Sequence, residues 1–399
     1  VSTTGFALFG ARPIFSKPVP FGQRYFPSWE RYEESVRGIF DRQYYTEYGP
    51  LNQKLEQQLQ QFIGVRHAIC VTNATVAMMM LADAMGLKGK VILPSLAHIS
   101  TAQSLSWAGL QPVFCDVDPV THQLDPDRVA ALIDQDVSAI MGVHLSGGAC
   151  RPKDLAELAE RHDIQLYFDA AHAFGCAVGG KRIGTFGRAE VFSFRSDMIL
   201  NATDGGCICT NDDELAARLR TMRSSAGAGI PVAVTKTVNG RMSEAQCAIA
   251  LMSLEDFPVN RQNNENLYRI YEERLAGIPG LDLVSPAGVS ISNYQSLVCR
   301  VDERIFGLPR DVLIALLKAE NVDARRYLHP GQHRSIPFVQ GHLPAQLPVT
   351  ESLCATCIQL PVGAHVTDQS IEGICDILRR AHQAASAISV RYGHMREHT

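Results

Sequence analysis

The sequence contains no apolar run that approaches the length of a membrane span, so no transmembrane helix is expected. It has no basic excess: 37 Lys and Arg stand against 41 Asp and Glu, a formal net charge of −4. Without a basic stripe, nucleic acid is not expected as a partner. The opening VSTTGFALFGARPIF has no basic start followed by a long apolar region, so a secretory leader is not expected there. Internal repeats and low-complexity tracts are also missing. Cysteine is plentiful, with eleven, but they are scattered through apparent strands and helices. Cys207 and Cys209 share one strand face, and Cys354 and Cys357 form a single C-x-x-C. With no second pair at zinc-site spacing, neither a metal nor disulfides are expected. The pattern reads as free thiols in a reducing cytoplasm.

What is present is a chain of 399 residues with 46% hydrophobic residues, enough for a large core. Residues 1–50, rich in Pro, Phe and Tyr, read as an irregular arm. Residues 51–245 read as a large domain and 246–399 as a smaller C-terminal one. From residue 66 short apolar strands alternate with amphipathic helices, which predicts a mostly parallel sheet covered on both faces. Further on, helices are expected over 245–254 and 261–275, separated by Pro258.

In such a sheet ligands sit at the carboxyl ends of the strands, and the residues there are informative. Ala74-Thr75 opens a helix, where free N–H groups favour a phosphate, although a Thr at a helix start is often only a cap. His98 follows the second strand and, alone, reads as an ordinary loop residue. Asp169 begins the run Asp169-Ala170-Ala171-His172, and an Asp after a strand is often a turn former. Ser193 ends a buried strand, where a satisfied core hydroxyl would be unremarkable. His329-x-x-x-His333 has metal-like spacing, but Pro330-Gly331 between the rings prevents a regular helix from presenting both.

Taken together, several stretches resemble the DegT/DnrJ/EryC1/StrS family of pyridoxal-phosphate (PLP) aminotransferases. They are VFSFRSDMILNATDGG (191–206), DAAH (169–172), TVNGRMSE (237–244) and DARRYLHPGQHRSIP (323–337). The resemblance covers roughly residues 45–385. It implies an α/β, fold-type I PLP-transferase-like architecture: a large domain with a mainly parallel mixed sheet, and a smaller α+β domain. It implies PLP or its amine form, pyridoxamine phosphate (PMP), as cofactor. The cofactor would be held by Ala74, Thr75, His98, Asp169, His172, Ser193 and Asn239. Asp169 would keep the pyridine nitrogen protonated, His172 would contact the ring hydroxyl, and Asn239 would reach the phosphate of a neighbouring subunit in a homodimer. Thr46, Arg195, Tyr327 and His329 match positions near the substrate, a nucleotide-linked keto sugar aminated at C3 or C4, with glutamate the usual amino donor.

The pattern departs at Ala74, His98, Arg195 and Asp197, and above all at its defining residue. In the family motif S-F-H-A-T-K the lysine binds the cofactor covalently and then moves the proton; here Met198 occupies its place. A thioether can do neither, although methionine has nearly the shape of a lysine stem. Three readings follow. The chain is an inactivated form of a working aminotransferase, or an enzyme for a lysine-independent reaction of the sugar-dehydratase kind, or a non-catalytic sugar-nucleotide-binding partner. The second needs another base, with His172, Lys236 and Arg195 as candidates.

Overall fold

The alternation that begins at residue 66 becomes, in a computed structural model, a seven-stranded sheet. The structure describes residues 3–46, 48–224, 232–339 and 345–397. Glu47, beside the expected substrate residue Thr46, and 225–231 of the loop expected over 224–236 lie outside them.

The strands are β1 (His67–Val71), β2 (Lys90–Pro94), β3 (Gln111–Cys115), β4 (Val137–Val143) and β5 (Gln165–Asp169). After a two-residue ribbon, β6 (Ala177–Val178) with β7 (Lys181–Arg182), come β8 (Ala189–Ser193) and β9 (Gly206–Thr210). The sheet order is β1-β9-β8-β5-β4-β2-β3. Every pairing is parallel except the two made by β9. The link from β8 to β9 contains no helix to carry a parallel crossover, so β9 returns antiparallel. Both faces are covered, which is why the strands read as continuous apolar runs. On one face Ile69, Val191 and Ile208 pack among Leu81, Leu105 and Leu219. On the other, Cys70, Phe192 and Cys207 pack with Leu55, Leu59, Phe174 and Phe257.

Two expectations need correction. The arm is not wholly irregular, because Trp29–Arg42 forms a 14-residue helix, α1, whose N-cap Ser28 accepts from the Arg31 N–H at 3.5 Å. Its aromatic residues Trp29 and Phe40 are exposed and only Ile39 is buried, so the apolar positions did not announce a core-facing stripe. The second correction concerns Pro258. It does not separate two helices; it lies inside one continuous 32-residue helix, Glu244–Leu275. Proline removes one helical hydrogen bond and crowds the preceding turn, at about 3 kcal/mol. Burial on either side of it, at Leu254 and Phe257 and then at Leu267, Tyr268 and Tyr271, outweighs that cost. The helix opens with a capping box of Ser243 and Gln246.

The remaining helices used below are α2 (Pro50–Ile63), α3 (Ala74–Ala84) and α4 (Ile99–Trp107). A second, antiparallel sheet of four strands holds β10 (Leu281–Leu283), β11 (Leu297–Val301), β12 (Arg325–Arg326) and β13 (Cys357–Leu360), ordered β10-β11-β13-β12. It packs against its own core with the helices Arg310–Ala319 and Asp368–Gln383. Among the described residues no helix is long and apolar enough to cross a membrane.

Candidate active site

The ends of β1, β2, β5 and β8 meet around a cavity of about 100 Å³. Its walls include Ala74, Thr75, His98, Asp169, His172, Ser193 and Met198. Six of these are the residues read above as cofactor contacts, and the seventh stands in the lysine's place. The approach is close at the junction of β9 and α3, since a Cβ on Gly206 would sit 2.8 Å from the Ala74 nitrogen. Any side chain there would push the sheet away from the helix start. Asn73 caps α3, its Oδ1 accepting from the Val76 N–H at 2.9 Å. The opening turn of a helix offers N–H groups with no intrahelical acceptor, as a phosphate requires.

Asp169 ends β5 and is 6% exposed. Its Oδ2 accepts from the Thr101 hydroxyl at 2.8 Å, and its Oδ1 accepts from the Ala171 N–H at 3.1 Å. These donors hold the carboxylate in one orientation at the cavity edge. Thr101 carries no motif; in the sequence it reads as an ordinary residue of α4.

Two imidazoles face the same space. His98 caps α4 through its own ring, with Nδ1 accepting from the Ser100 N–H at 3.3 Å and lying 2.7 Å from the Ser100 hydroxyl. Burial lowers its pKa and the Arg195 charge adds to that, against the opposing pull of Asp169 and Asp197. His172 is also lowered, by burial first, while Asp169 and Asp197 oppose. Its Nδ1 accepts a long bond from the Ser146 N–H, 3.4 Å. Both rings are therefore neutral at pH 7, with Nδ1 as acceptor and the proton on Nε2.

Met198 is 4% exposed and sits in a tight turn, its N–H donating to the Arg195 carbonyl at 2.9 Å. Buried Gln295 fixes that turn from both sides. Its amide donates to the Asp197 carbonyl at 2.8 Å and its oxygen accepts from the Ile199 N–H at 2.9 Å. Arg195 and Asp197 form a two-point ion pair, 2.7 Å at each bond. Burial disfavours the Asp197 charge, but the Arg195 hydrogen bonds and charge more than compensate and hold its pKa low. Among the described residues the cavity wall has no lysine. Lys236, a candidate base, pairs instead with Asp83 and is not part of that wall.

Beyond Met198 lie two larger cavities, of about 400 and 440 Å³. Arg195 lines both, and His329 lines the first. Tyr327, expected at the substrate, is instead buried, 1% exposed, with its hydroxyl 3.2 Å from that of Ser146. Its neighbours Arg325 and Arg326 reach the cavity in its place. Thr46 and Asn239 are exposed and line none of these three cavities in their own subunit. The two histidines with metal-like spacing turn to different partners: His329 Nδ1 to the Cys354 carbonyl at 3.2 Å, His333 Nδ1 to the Ser95 hydroxyl at 2.6 Å. Among the described residues no cluster of three His, Cys, Asp or Glu side chains could hold a metal ion.

Comparison with known proteins identifies the family. A model of the DegT/DnrJ/EryC1/StrS aminotransferase family matches residues 29–379. A dTDP-4-amino-4,6-dideoxy-D-glucose transaminase of Shigella dysenteriae is 31% identical, over 91% of this chain and 99% of its own. A GDP-perosamine synthase of Caulobacter vibrioides is 32% identical, over 80% and 87%. The crystal structure of DesI in the presence of its TDP-sugar product superimposes with a TM-score of 0.92. It is 37% identical and covers 98% of this chain and 100% of its own. The sheet and the order of its strands are thus those of a known fold, fold-type I, and this chain belongs to the DegT/DnrJ/EryC1/StrS family of PLP-dependent aminotransferases.

Proposed function

We propose that the chain binds PLP or PMP without a covalent tether and takes a nucleotide-linked keto sugar in the space beyond Met198. One observation carries this reading: Ala74, Thr75, His98, Asp169, His172 and Ser193 converge on one cavity while Met198 stands at the point of attachment. The cavity chemistry fits the cofactor at each end, with a helix start and a hydroxyl for the phosphate and a fixed carboxylate for a pyridinium. Bound there, the cofactor supplies an electron sink for the reacting C–H bond. The protein's part is then to keep the ring nitrogen protonated through Asp169, to orient the ring between His98 and His172, and to hold Met198 in its Gln295-braced turn. What the chain cannot supply from residue 198 is the amine that binds the cofactor and moves the proton. Ordinary transamination is accordingly blocked at that one position.

The test is Met198→Lys, assayed with dTDP-linked and GDP-linked keto sugars and glutamate as amino donor. Amination at C3 or C4 by the variant and none by the parent chain supports the reading. Cofactor capture by the variant with no amination of any nucleotide sugar would contradict the substrate assignment.

A second reading has its own support. His172 lines both the inner cavity and the one beyond it, and its Nδ1 takes only a long bond, 3.4 Å, from the Ser146 N–H, so that lone pair is the base a lysine-independent reaction would use. Loss of a sugar hydroxyl catalysed by the parent chain, and abolished in His172→Phe, would favour it. A chain that binds nucleotide sugar but no cofactor would instead be the non-catalytic partner.

The proposal extends to assembly and location. Asn239, exposed and outside its own cavity, offers an amide to the phosphate held by a second subunit, which makes a homodimer the working form. Asn239→Ala should weaken PLP binding by about 1.5–3 kcal/mol. A monomer by light scattering that still binds PLP as tightly as the parent chain would contradict it. All eleven cysteines are buried and unpaired, which suits a cytoplasmic protein.

A further inference from the structure

We propose that Arg223, paired with Glu56, is a positioning residue: it sets the backbone from which Asn239 would reach the phosphate of a second subunit. The proposal rests on the dimer reading above and names what, inside one subunit, aims that amide. Asn239 is exposed and lines none of the three cavities of its own subunit, so its direction depends on the chain beneath it.

The backbone on both sides of Asn239 is tied to the end of one helix, Asp213–Arg223. The Val238 N–H donates to the Met222 carbonyl at 2.9 Å, and the Gly240 N–H donates to the Arg223 carbonyl at 3.1 Å. The Gly240 carbonyl accepts from the Thr72 N–H at 2.8 Å, and Arg241 forms a β-bridge with Val71, the last residue of β1. Two adjacent residues of the helix thus bracket Asn239. A shift of Arg223 moves the bracket and the amide with it.

Arg223 is fixed in turn by its own side chain, which is 2% exposed. Its Nη1 donates to Glu56 Oε1 at 2.6 Å and to the Cys70 carbonyl at 2.8 Å, and the same Glu56 oxygen accepts from the Cys70 N–H at 2.9 Å. One guanidinium therefore joins the helix end to α2 and to β1. It also lies over the Tyr48 ring, 5.0 Å from the centroid. Tyr48 has a left-handed backbone, φ +60°, which a bulky residue keeps only where its surroundings impose it. Thr46, the other expected site residue found outside its own cavities, lies two residues before it. A buried ion pair is a weak source of net stability, because desolvating two charges offsets their attraction. An apolar pair could fill the same volume, but it could not bond a carboxylate and a strand carbonyl while covering an aromatic face. Position is therefore what Arg223 contributes that a core residue would not.

The experiment is a double-mutant cycle on the full chain, read by equilibrium titration with PLP. One arm replaces both members of the pair, Glu56→Gln with Arg223→Met, so that no buried charge is stranded. The other arm is Asn239→Ala. Each arm should weaken PLP binding about tenfold or more, and the combination should match Asn239→Ala alone within about twofold, because the pair acts through that amide. Urea unfolding should report a loss for the pair and none for Asn239→Ala, and light scattering should give one mass for all variants. Arg223→Lys, which keeps a cation beside Glu56, takes the place of the paired replacement if that does not fold, and the same non-additivity is expected of it. Losses that multiply in the combined variant would mean that the pair acts on the cavity through β1, and would overturn the proposal. A monomeric pair variant would overturn it too, since the pair would then hold the assembly and not the amide. Unchanged PLP binding by the pair variant, with Asn239→Ala weakened, would refute the role of Arg223 and leave the dimer reading standing. Asn239→Ala without effect would remove the dimer reading and this role with it.

Discussion

Two parts of one site differ in how closely they follow the family motif. The strand-end part, with the Ala74-Thr75 helix start, Asp169 and Ser193, keeps the residues that the resemblance assigns to the cofactor, and its carboxylate is held by two donors. The turn at 195–198 is equally well ordered, braced by Gln295 and by the Arg195–Asp197 pair. In that turn, however, the motif's His, Ala, Thr and Lys are Arg195, Ser196, Asp197 and Met198. In the proposed reading one part holds the cofactor and the other acts on it, and the second is where Met198 stands in place of the motif's lysine. The comparison teaches that the proposed binding and catalytic parts rest on different backbone segments meeting at one cavity, so a change in one can leave the other built.

The largest expected effect tests that separation. Met198→Lys should convert an exchangeable cofactor into one retained after borohydride reduction, with the added mass at residue 198 by peptide mass spectrometry. Because the turn is braced independently of its side chain, the new amine inherits a fixed position. No retained mass would mean that the turn, and not only its side chain, is unsuited to attachment.

The next effect concerns what holds the strand ends in place. Beneath them, fully buried His144 lies 3.2 Å from Glu190 Oε2 and stacks on Phe168 with ring centroids 4.8 Å apart. Glu190 Oε1 also accepts from the Gly184 and Phe186 N–H groups, at 2.7 and 2.6 Å. Glu190→Ala leaves a buried partner uncompensated and should cost about 3–5 kcal/mol in urea unfolding. Burial opposes the His144 charge, yet Cys150 and Glu190 push its pKa up to about 10. A folded-state pKa raised from 6.5 means that the pair's stabilisation is complete below about pH 6.5 and fades as pH rises through about 10. The parent chain should therefore lose stability over that window, and Glu190→Ala should show a flatter profile.

Smaller effects sharpen the division within the cavity. Asp169→Asn should weaken PLP binding by about 1.5–3 kcal/mol, because a charge-assisted bond to the ring nitrogen becomes a neutral one. Thr101→Val, which removes a single donor to Asp169, should cost about 0.5–1.5 kcal/mol of the same affinity. Equilibrium titration with PLP distinguishes the two. An effect of Thr101→Val as large as that of Asp169→Asn would mean that the carboxylate acts only through its orientation.

Much of this site was legible in the chain. Their places at strand ends drew attention to Ala74, Asp169 and Ser193, the resemblance gave them roles, and the structure brings them to one cavity because parallel strands end together. What was illegible has physical reasons. Arg24 and Phe21, which line the outer cavities, sit in an irregular arm with no periodicity to read, and only its anchoring on Asn321 and Gln295 brings it to the site. In the segment 323–337 the sequence pointed to Tyr327, whereas the two-residue strand β12 exposes Arg325 and Arg326 and the chain then buries the tyrosine against Ser146. Thr101 and Gln295 act through hydrogen bonds to residues far away in sequence, which no local pattern encodes. Pro258 was read as a break because local cost is visible in a sequence and the tertiary burial that outweighs it is not.

The most direct test of the central claim is equilibrium dialysis of the parent chain with PLP and PMP, followed by borohydride treatment of the complex. The account predicts saturable binding of cofactor that dialyses away and leaves no covalent mass on the protein. Cofactor that survives dialysis and is fixed to another residue by borohydride, or no binding of either form, would contradict it.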